Sequence, residues 1–233
     1  MTKTGIIGHR GAAGLALENS QDSMLAALDY AIDAIEFDIH RTKDGQLVVL
    51  HDSHTGRIAE QRVLVNKKTL AELKALKLKN GQALPTLEEV LQIIGSKKPV
   101  VIDIKDLGCS DELLRLLHKY PEIDASFTSL KYSELEKLHK ARPDLPIFVR
   151  DLLNPFEILH TARKMQAKGI SLNMWLTNPL TYYLARKRDL ELRVYTVNSP
   201  RLVRFLRKLY PDVVIYTNHP ERFVDKSAKS EGL

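Results

Sequence analysis

The chain has 233 residues, 44% of them hydrophobic and 27% charged, with a net charge of +6 and one cysteine. That composition describes an ordinary globular chain able to bury a sizeable core, and a single cysteine excludes an intramolecular disulfide framework. No apolar run approaches the ~18 residues needed to span a bilayer, so stable membrane insertion is not expected; nor is a signal peptide, because the first residues read straight into a strand, and a cytoplasmic location is the expectation.

Short apolar, β-branched runs alternate with helix-like segments from end to end. Residues 6–8 read as a first strand, 20–31 as an apolar-periodic helix, and 34–39 as a second strand. Lys43-Asp44-Gly45 is a turn signal, and 47–50 returns as a hairpin arm. Residues 70–76 look helical, and 86–94 more so, because Pro85 precedes Thr86 and Glu89 follows three residues later, the pattern of a capping box. A third strand at 100–104 leads to a helix at 111–119, a fourth at 125–128 to a helix at 132–140, and a fifth at 146–149 to a helix at 155–165. Strands at 170–174, 192–196 and 213–217 complete the series, each followed by a helix that starts at a proline: Pro179, Pro200 and Pro220.

Eight strands alternating with helices predict parallel βα units, and eight is the number that closes a (β/α)8 TIM barrel, a fold of typically about 250 residues. The expected organisation is a single α/β barrel domain over 1–225 with a flexible tail at 226–233, interrupted only by an excursion at 53–84 after the second strand.

Chemistry-bearing residues collect where the strands end. In a strand, residues i and i+2 share a face, so Glu36 and Asp38 project together, as do Asp103 and Lys105. Strand C-terminal ends are where such barrels keep their active sites. Converging carboxylates need a compensating cation, and oxygen ligands suit Mg2+ or Ca2+. His9 ends the first strand and His51 the hairpin arm, which suits a general acid and a general base. Arg10 and Lys105 supply positive charge for phosphate oxygens. The other histidines, His40 among them, read as structural, and so does Cys109; His219, after the eighth strand, reads as structural or as lining the pocket. The basic balance alone does not suggest nucleic-acid binding, because no basic stretch is interleaved with aromatics.

The strings GHRGAAGLALENS and AIEFDIHRTKDGQLVVLHD, then ALPTLEEVLQ, VVIDIK, ASFTSL, VYTVNS and VIYTNHPERF, closely resemble the glycerophosphodiester phosphodiesterase family, in order and over nearly the whole chain. The family fold is a (β/α)8 barrel. The resemblance implies that His9 and His51 are the catalytic histidines, Arg10 and Lys105 the phosphate-binding cations, and Glu36, Asp38 and Asp103 the ligands of one divalent cation. It also places Asn19, Trp175 and Tyr195 around the substrate. The chain departs from the family pattern at Leu17 (usually Pro), Ser20 (Thr), Asp103 (Glu), Tyr195 (Trp) and Asn218 (Asp); the related sphingomyelinase D-type phospholipases carry aspartate at the position of Asp103. The implied reaction is hydrolysis of a small-molecule glycerophosphodiester such as glycerophosphocholine or glycerophosphoethanolamine to sn-glycerol 3-phosphate and an alcohol. Two other readings stay open: lysophospholipase D-type cleavage of lysophospholipids, and a non-catalytic barrel that binds phosphodiesters. Oligomeric state is not legible in the sequence.

Overall fold

The computed structural model describes residues 5–150 and 154–227. Its strands are β1 (Ile6–Gly8), β2 (Ala34–Arg41), β3 (Leu47–Val49), β4 (Val100–Ile104), β5 (Ala125–Ser129), β6 (Ile147–Arg150), β7 (Gly169–Asn173), β8 (Glu191–Tyr195) and β9 (Val214–Thr217). The helices are α1 (Gln21–Leu28), α2 (Leu70–Lys74), α3 (Leu87–Ile94), α4 (Ser110–Lys119), α5 (Tyr132–Ala141), α6 (Pro155–Lys164), α7 (Pro179–Arg186) and α8 (Pro200–Leu209). Strand order is β1-β9-β8-β7-β6-β5-β4-β2-β3, and a further β1–β2 pairing closes the ring. All pairings around that ring are parallel; β3 alone runs antiparallel, on the edge of β2. The TIM barrel expected from the alternation is therefore present, with one added hairpin strand.

Local chemistry accounts for where the elements begin. Thr86 caps α3 as its sequence suggested: Oγ1 accepts from the Glu89 amide at 3.1 Å, and the Glu89 carboxylate accepts from the Thr86 amide at 2.8 Å. Thr69 and Glu72 close the same box on α2. The helix expected at 20–31 is shorter, Gln21–Leu28, because Ser20 serves as its N-cap and Asp29 as its C-cap. No helix of the described residues is long and apolar enough to cross a membrane.

Alternation along the strands sorts the interior into two cores. Outward-facing Ile35, Phe37, Ile39, Ile102, Ile104, Phe127, Val149, Ile170 and Val194 are fully buried under the helices. The lower part of the barrel interior is filled by Ile7, Ala34, Val101 and Tyr216. Above that layer the inward positions become polar. The excursion has a core of its own, with Ile58, Val65, Leu73, Leu78 and Leu84 packed against Val48 and Leu50 of the hairpin arm, so it is a compact annex beside β3. Of the tail expected at 226–233, residues 228–233 lie outside the described residues; Lys226 bridges to Tyr30, and the Ser227 amide donates to the Asp29 carbonyl at 2.7 Å.

Candidate active site

Register brings the acidic residues together. Asp38 of β2 lies directly beside Asp103 of β4, and the i, i+2 rule puts Glu36 on the same inner face. One carboxylate oxygen from each of Glu36, Asp38 and Asp103 falls within 4.8 Å of the others, and all three side chains are buried. Three buried carboxylates so close repel one another. Burial, then the charges of Asp38 and Asp103, push the Glu36 carboxyl well above the usual range. Burial works the same way on Asp38, but Lys105 and Arg10 outweigh it and hold that carboxyl below its ordinary value. Asp103 Oδ1 is buried with no hydrogen-bond partner among the described residues. A bare carboxylate oxygen beside two further carboxylates is a donor set that fits an oxygen-seeking divalent cation.

The cations sit on the same cluster. Lys105 Nζ lies 2.8 Å from Asp38 Oδ1 and 2.6 Å from Asp103 Oδ2. Arg10 points its Nε toward Asp38 Oδ2 at 3.5 Å and gives Nη1 to Glu18 at 2.8 Å, while its backbone amide donates to Glu36 Oε2 at 2.8 Å. Both Arg10 and Asn19 adopt left-handed backbone angles, φ 51° and 56°, which non-glycine residues hold only where surroundings over-determine them. Gly11, at φ 79°, completes this turn; a Cβ there would meet the Ser23 carbonyl at 2.6 Å. Asn19 grips Asp38: its side-chain amide donates to Asp38 Oδ2 at 2.8 Å and accepts from the Asp38 backbone amide at 3.2 Å, so it orients that carboxylate.

The two predicted histidines are placed differently. His9, at the end of β1, sets Nδ1 2.7 Å from the Asn218 side-chain oxygen and Nε2 3.9 Å from Glu36. Burial, then the charge of Arg10, brings its pKa down to about 4. His51 follows the hairpin arm and gives Nδ1 to Asp52 at 2.7 Å; a carboxylate only accepts, so Nδ1 carries the proton and Nε2 is left for chemistry. Its pKa is lowered too, first by burial. Both rings feel the charge of Asp38.

Several residues here were not anticipated. His40, read as structural, is two places beyond Asp38 and faces acceptors on both nitrogens: Asp106 at 2.8 Å and the His51 carbonyl at 3.0 Å. Arg57 of the excursion bonds both Glu18 and Asp52. Arg150 closes β6 on Asp103. The i, i+2 rule could have found His40; Arg57 and Arg150 depend on long-range folding. Among the expected aromatics, Tyr195 lines a small cavity of about 20 Å³ with His9, Glu36, Asp103, Thr128, Arg150, Ser171 and Tyr216. Trp175 does not join it: it stands on a short turn after β7, 83% exposed. His219 pairs with Glu221 at 2.9 Å, and Cys109 is buried ahead of α4.

Residues 9–222 match the sequence pattern of the Glycerophosphoryl diester phosphodiesterase family. The chain belongs to that family. Its membership makes it a phosphodiester hydrolase by class, in agreement with the charged, carboxylate-lined mouth. The chain is 29% identical to the glycerophosphodiester phosphodiesterase of Caldanaerobacter subterraneus subsp. tengcongensis over 96% of its own length and 97% of that protein's. It is 30% identical to Lysophospholipase D GDPD1 of Rattus norvegicus over 157 residues, 60% of this chain and 50% of that one. In fold it resembles an Oleispira antarctica phosphodiesterase solved in complex with its product sn-glycerol-3-phosphate, with a TM-score of 0.86, 22% identity and 94% of each chain covered.

Proposed function

We propose that this barrel hydrolyses glycerophosphodiesters, such as glycerophosphocholine or glycerophosphoethanolamine, to sn-glycerol 3-phosphate and the free alcohol. The observation that carries this reading is the juxtaposition of two histidines with three buried carboxylates and the cations Arg10 and Lys105 at one strand-end cluster. Glu36, Asp38 and Asp103 would hold one divalent cation, Mg2+ or Ca2+, which when bound withdraws charge from the phosphate oxygens. Arg10 and Lys105 neutralise the phosphate further, so that an oxygen nucleophile can approach an anion. One histidine takes the proton of the attacking hydroxyl, which is either water or the neighbouring glycerol hydroxyl; the other protonates the leaving alcohol. Their partners support one division of the roles. His51 is backed by the Asp52 carboxylate, which supports an imidazolium, so it delivers the proton. His9 is backed by the neutral amide of Asn218 and accepts it. Purified protein with Mg2+ or Ca2+ should release alcohol and sn-glycerol 3-phosphate from one or more of these diesters, and should lose that turnover on chelation. His9→Ala should lose turnover while keeping the fold, which separates catalysis from mere diester binding. No release from any glycerophosphodiester with either ion overturns the reading.

A second reading, cleavage of lysophospholipids, is favoured by one observation. Exposed apolar side chains gather in the loops and first helical turns that follow strand C-terminal ends: Leu15, Leu107, Leu130, Phe156, Trp175 and Leu180. They ring the mouth side, where an acyl chain attached to the glycerol would have to lie. Comparing turnover of lysophosphatidylcholine with glycerophosphocholine discriminates the two substrates.

A further inference from the structure

Arg150 has no part in the roles assigned so far, yet its surroundings are those of a ligand-binding group. It ends β6 with its side chain directed into the barrel and only 15% exposed. Its Nη1 donates to Asp103 Oδ2, the same oxygen that accepts from Lys105. The other oxygen of that carboxylate, Oδ1, accepts nothing among the described residues, and Arg150 Nε is likewise buried without a partner. An arginine placed only to neutralise a carboxylate would fork across both oxygens, because the planar guanidinium matches them. Here the contact is single and crowded onto an oxygen already taken.

The guanidinium is nevertheless held firmly. Its central carbon lies 4.4 Å from the centroid of the Tyr195 ring, a cation–π arrangement that fixes its plane. Tyr195 meets Tyr216 edge to face at 6.3 Å, and Tyr216 meets His9 at 6.5 Å. Arg150 and His9 thus stand at the two ends of one aromatic wall and line the same small cavity with Glu36 and Thr128. Thr128 Oγ1, also in that lining, is buried with no partner among the described residues.

We propose that Arg150 is a third phosphate-binding cation of the site, resting on Asp103 in the free protein and turning its spare donors to a phosphate oxygen of the bound diester, with Tyr195 as its platform. This rests on the phosphodiesterase reading above. A divalent cation on Asp103 repels the guanidinium, and the phosphate is the acceptor that receives it. Metal and phosphate ester should therefore each strengthen the binding of the other, by the same factor.

Calorimetric titration tests this with Mg2+ or Ca2+ alone, and with sn-glycerol 3-phosphate and inorganic phosphate in the presence of the ion. Arg150→Gln should weaken phosphate-ester binding about 10- to 100-fold, the scale of one charge-assisted contact, with Arg150→Lys between it and the parent. The ion alone should bind Arg150→Gln at least as tightly as the parent, because Asp103 is released. Should Arg150→Gln not fold, Arg150→Lys and Tyr195→Leu carry the test, and both should weaken the ester without weakening the ion. Unchanged ester affinity together with weaker ion binding overturns the proposal and makes Arg150 a prop for Asp103. Parent protein that binds no phosphate ester at all, with Arg150 in place, overturns the underlying reading instead.

Discussion

Replacing Arg57 by alanine removes a clamp that lies outside the barrel yet holds two groups at its mouth. The guanidinium gives hydrogen bonds of 2.5 and 2.8 Å to the two Glu18 oxygens and 2.8 and 3.2 Å to the two Asp52 oxygens. Glu18 in turn holds Arg10, and Asp52 holds His51. One side chain of the excursion therefore fixes both Arg10 and His51, the proposed phosphate-binding cation and proton-transfer group. With 44% of the Arg57 side chain exposed, solvent screens the pairs, and the loss of stability should be about 0.5–1 kcal/mol. For a chain of this size that is a fall in Tm of roughly 1–4 °C. Activity should suffer more. Groups that orient a site from behind typically cost about 10-fold or more when lost, and kcat/KM for glycerophosphocholine should drop by about that factor.

The pH dependence of that variant follows from the same contacts. Burial works to raise the Glu18 carboxyl, but Arg57 and Arg10 outweigh it and leave it below its ordinary range. Asp52 is depressed first by its hydrogen bonds to Arg57. Depressed carboxylates stabilise the fold fully above their unfolded value of about 4 and lose that contribution as pH falls through the folded one. The Tm difference between parent and Arg57→Ala should therefore be full at neutral pH and close below about pH 4. Equal kcat/KM in the two proteins at pH 7, measured under saturating metal, would refute the relay from Arg57 to Arg10 and His51.

Asn218→Asp puts a carboxylate 2.7 Å from His9 Nδ1 in place of an amide; it should raise the histidine by about one pH unit, worth about 1.4 kcal/mol, and move the acidic limb of the kcat/KM profile upward by the same amount. An unmoved limb would assign the base to another group. Thr86→Ala deletes the cap of α3, costs about 1 kcal/mol and lowers Tm by roughly 2–4 °C, with turnover unchanged because α3 lies on the outer face. Trp175→Ser, at an 83% exposed rim position, should leave glycerophosphocholine turnover intact. If lysophospholipids are substrates, it should raise their KM several-fold, and equal KM values for lysophosphatidylcholine remove the rim from acyl-chain binding.

The barrel was legible because its outer strand faces are apolar and its turns carry glycine and proline in the usual places. Glu36 and Asp38 were legible because two residues of one strand share a face whatever the strand pairs with. Their meeting with Asp103 depends on the register of β2 on β4, which periodicity does not encode; the rule that barrel strands end at one face supplied the convergence, and the resemblance supplied the ligand set. Arg150 shows how hydropathy fails at the functional end of a strand. The apolar run stops at Val149, so the expected strand ends there, but β6 continues through Arg150. In a barrel whose strands end in a charged mouth, the residue that ends the pattern is the one nearest the chemistry. Trp175 is a different case: an aromatic in a matching segment suggested a substrate contact, and the turn after β7 sets it on the exposed rim rather than in the cavity beside Tyr195.

The interior of this barrel changes character over one layer. Below, Ile7, Ala34 and Val101 cluster with Tyr216, and the Arg193 guanidinium carbon lies over the Phe148 ring, 3.3 Å from its centroid. Above, Glu36, Asp38 and Asp103 are interleaved with Arg10, Lys105 and Arg150. Charges at that depth are tolerated only in near balance, because each uncompensated one costs several kcal/mol. A divalent cation alone or a phosphate diester alone would upset the balance in opposite directions. Together they offset each other in part, the diester's single negative charge against the ion's two, and the cations now resting on carboxylates would gain phosphate oxygens as new acceptors. On the proposed reading, the ion pairs that hold the free site together would be the ones exchanged when ligands enter. Loading such a site would then need only the transfer of Lys105 and Arg150 from carboxylate oxygens to phosphate oxygens.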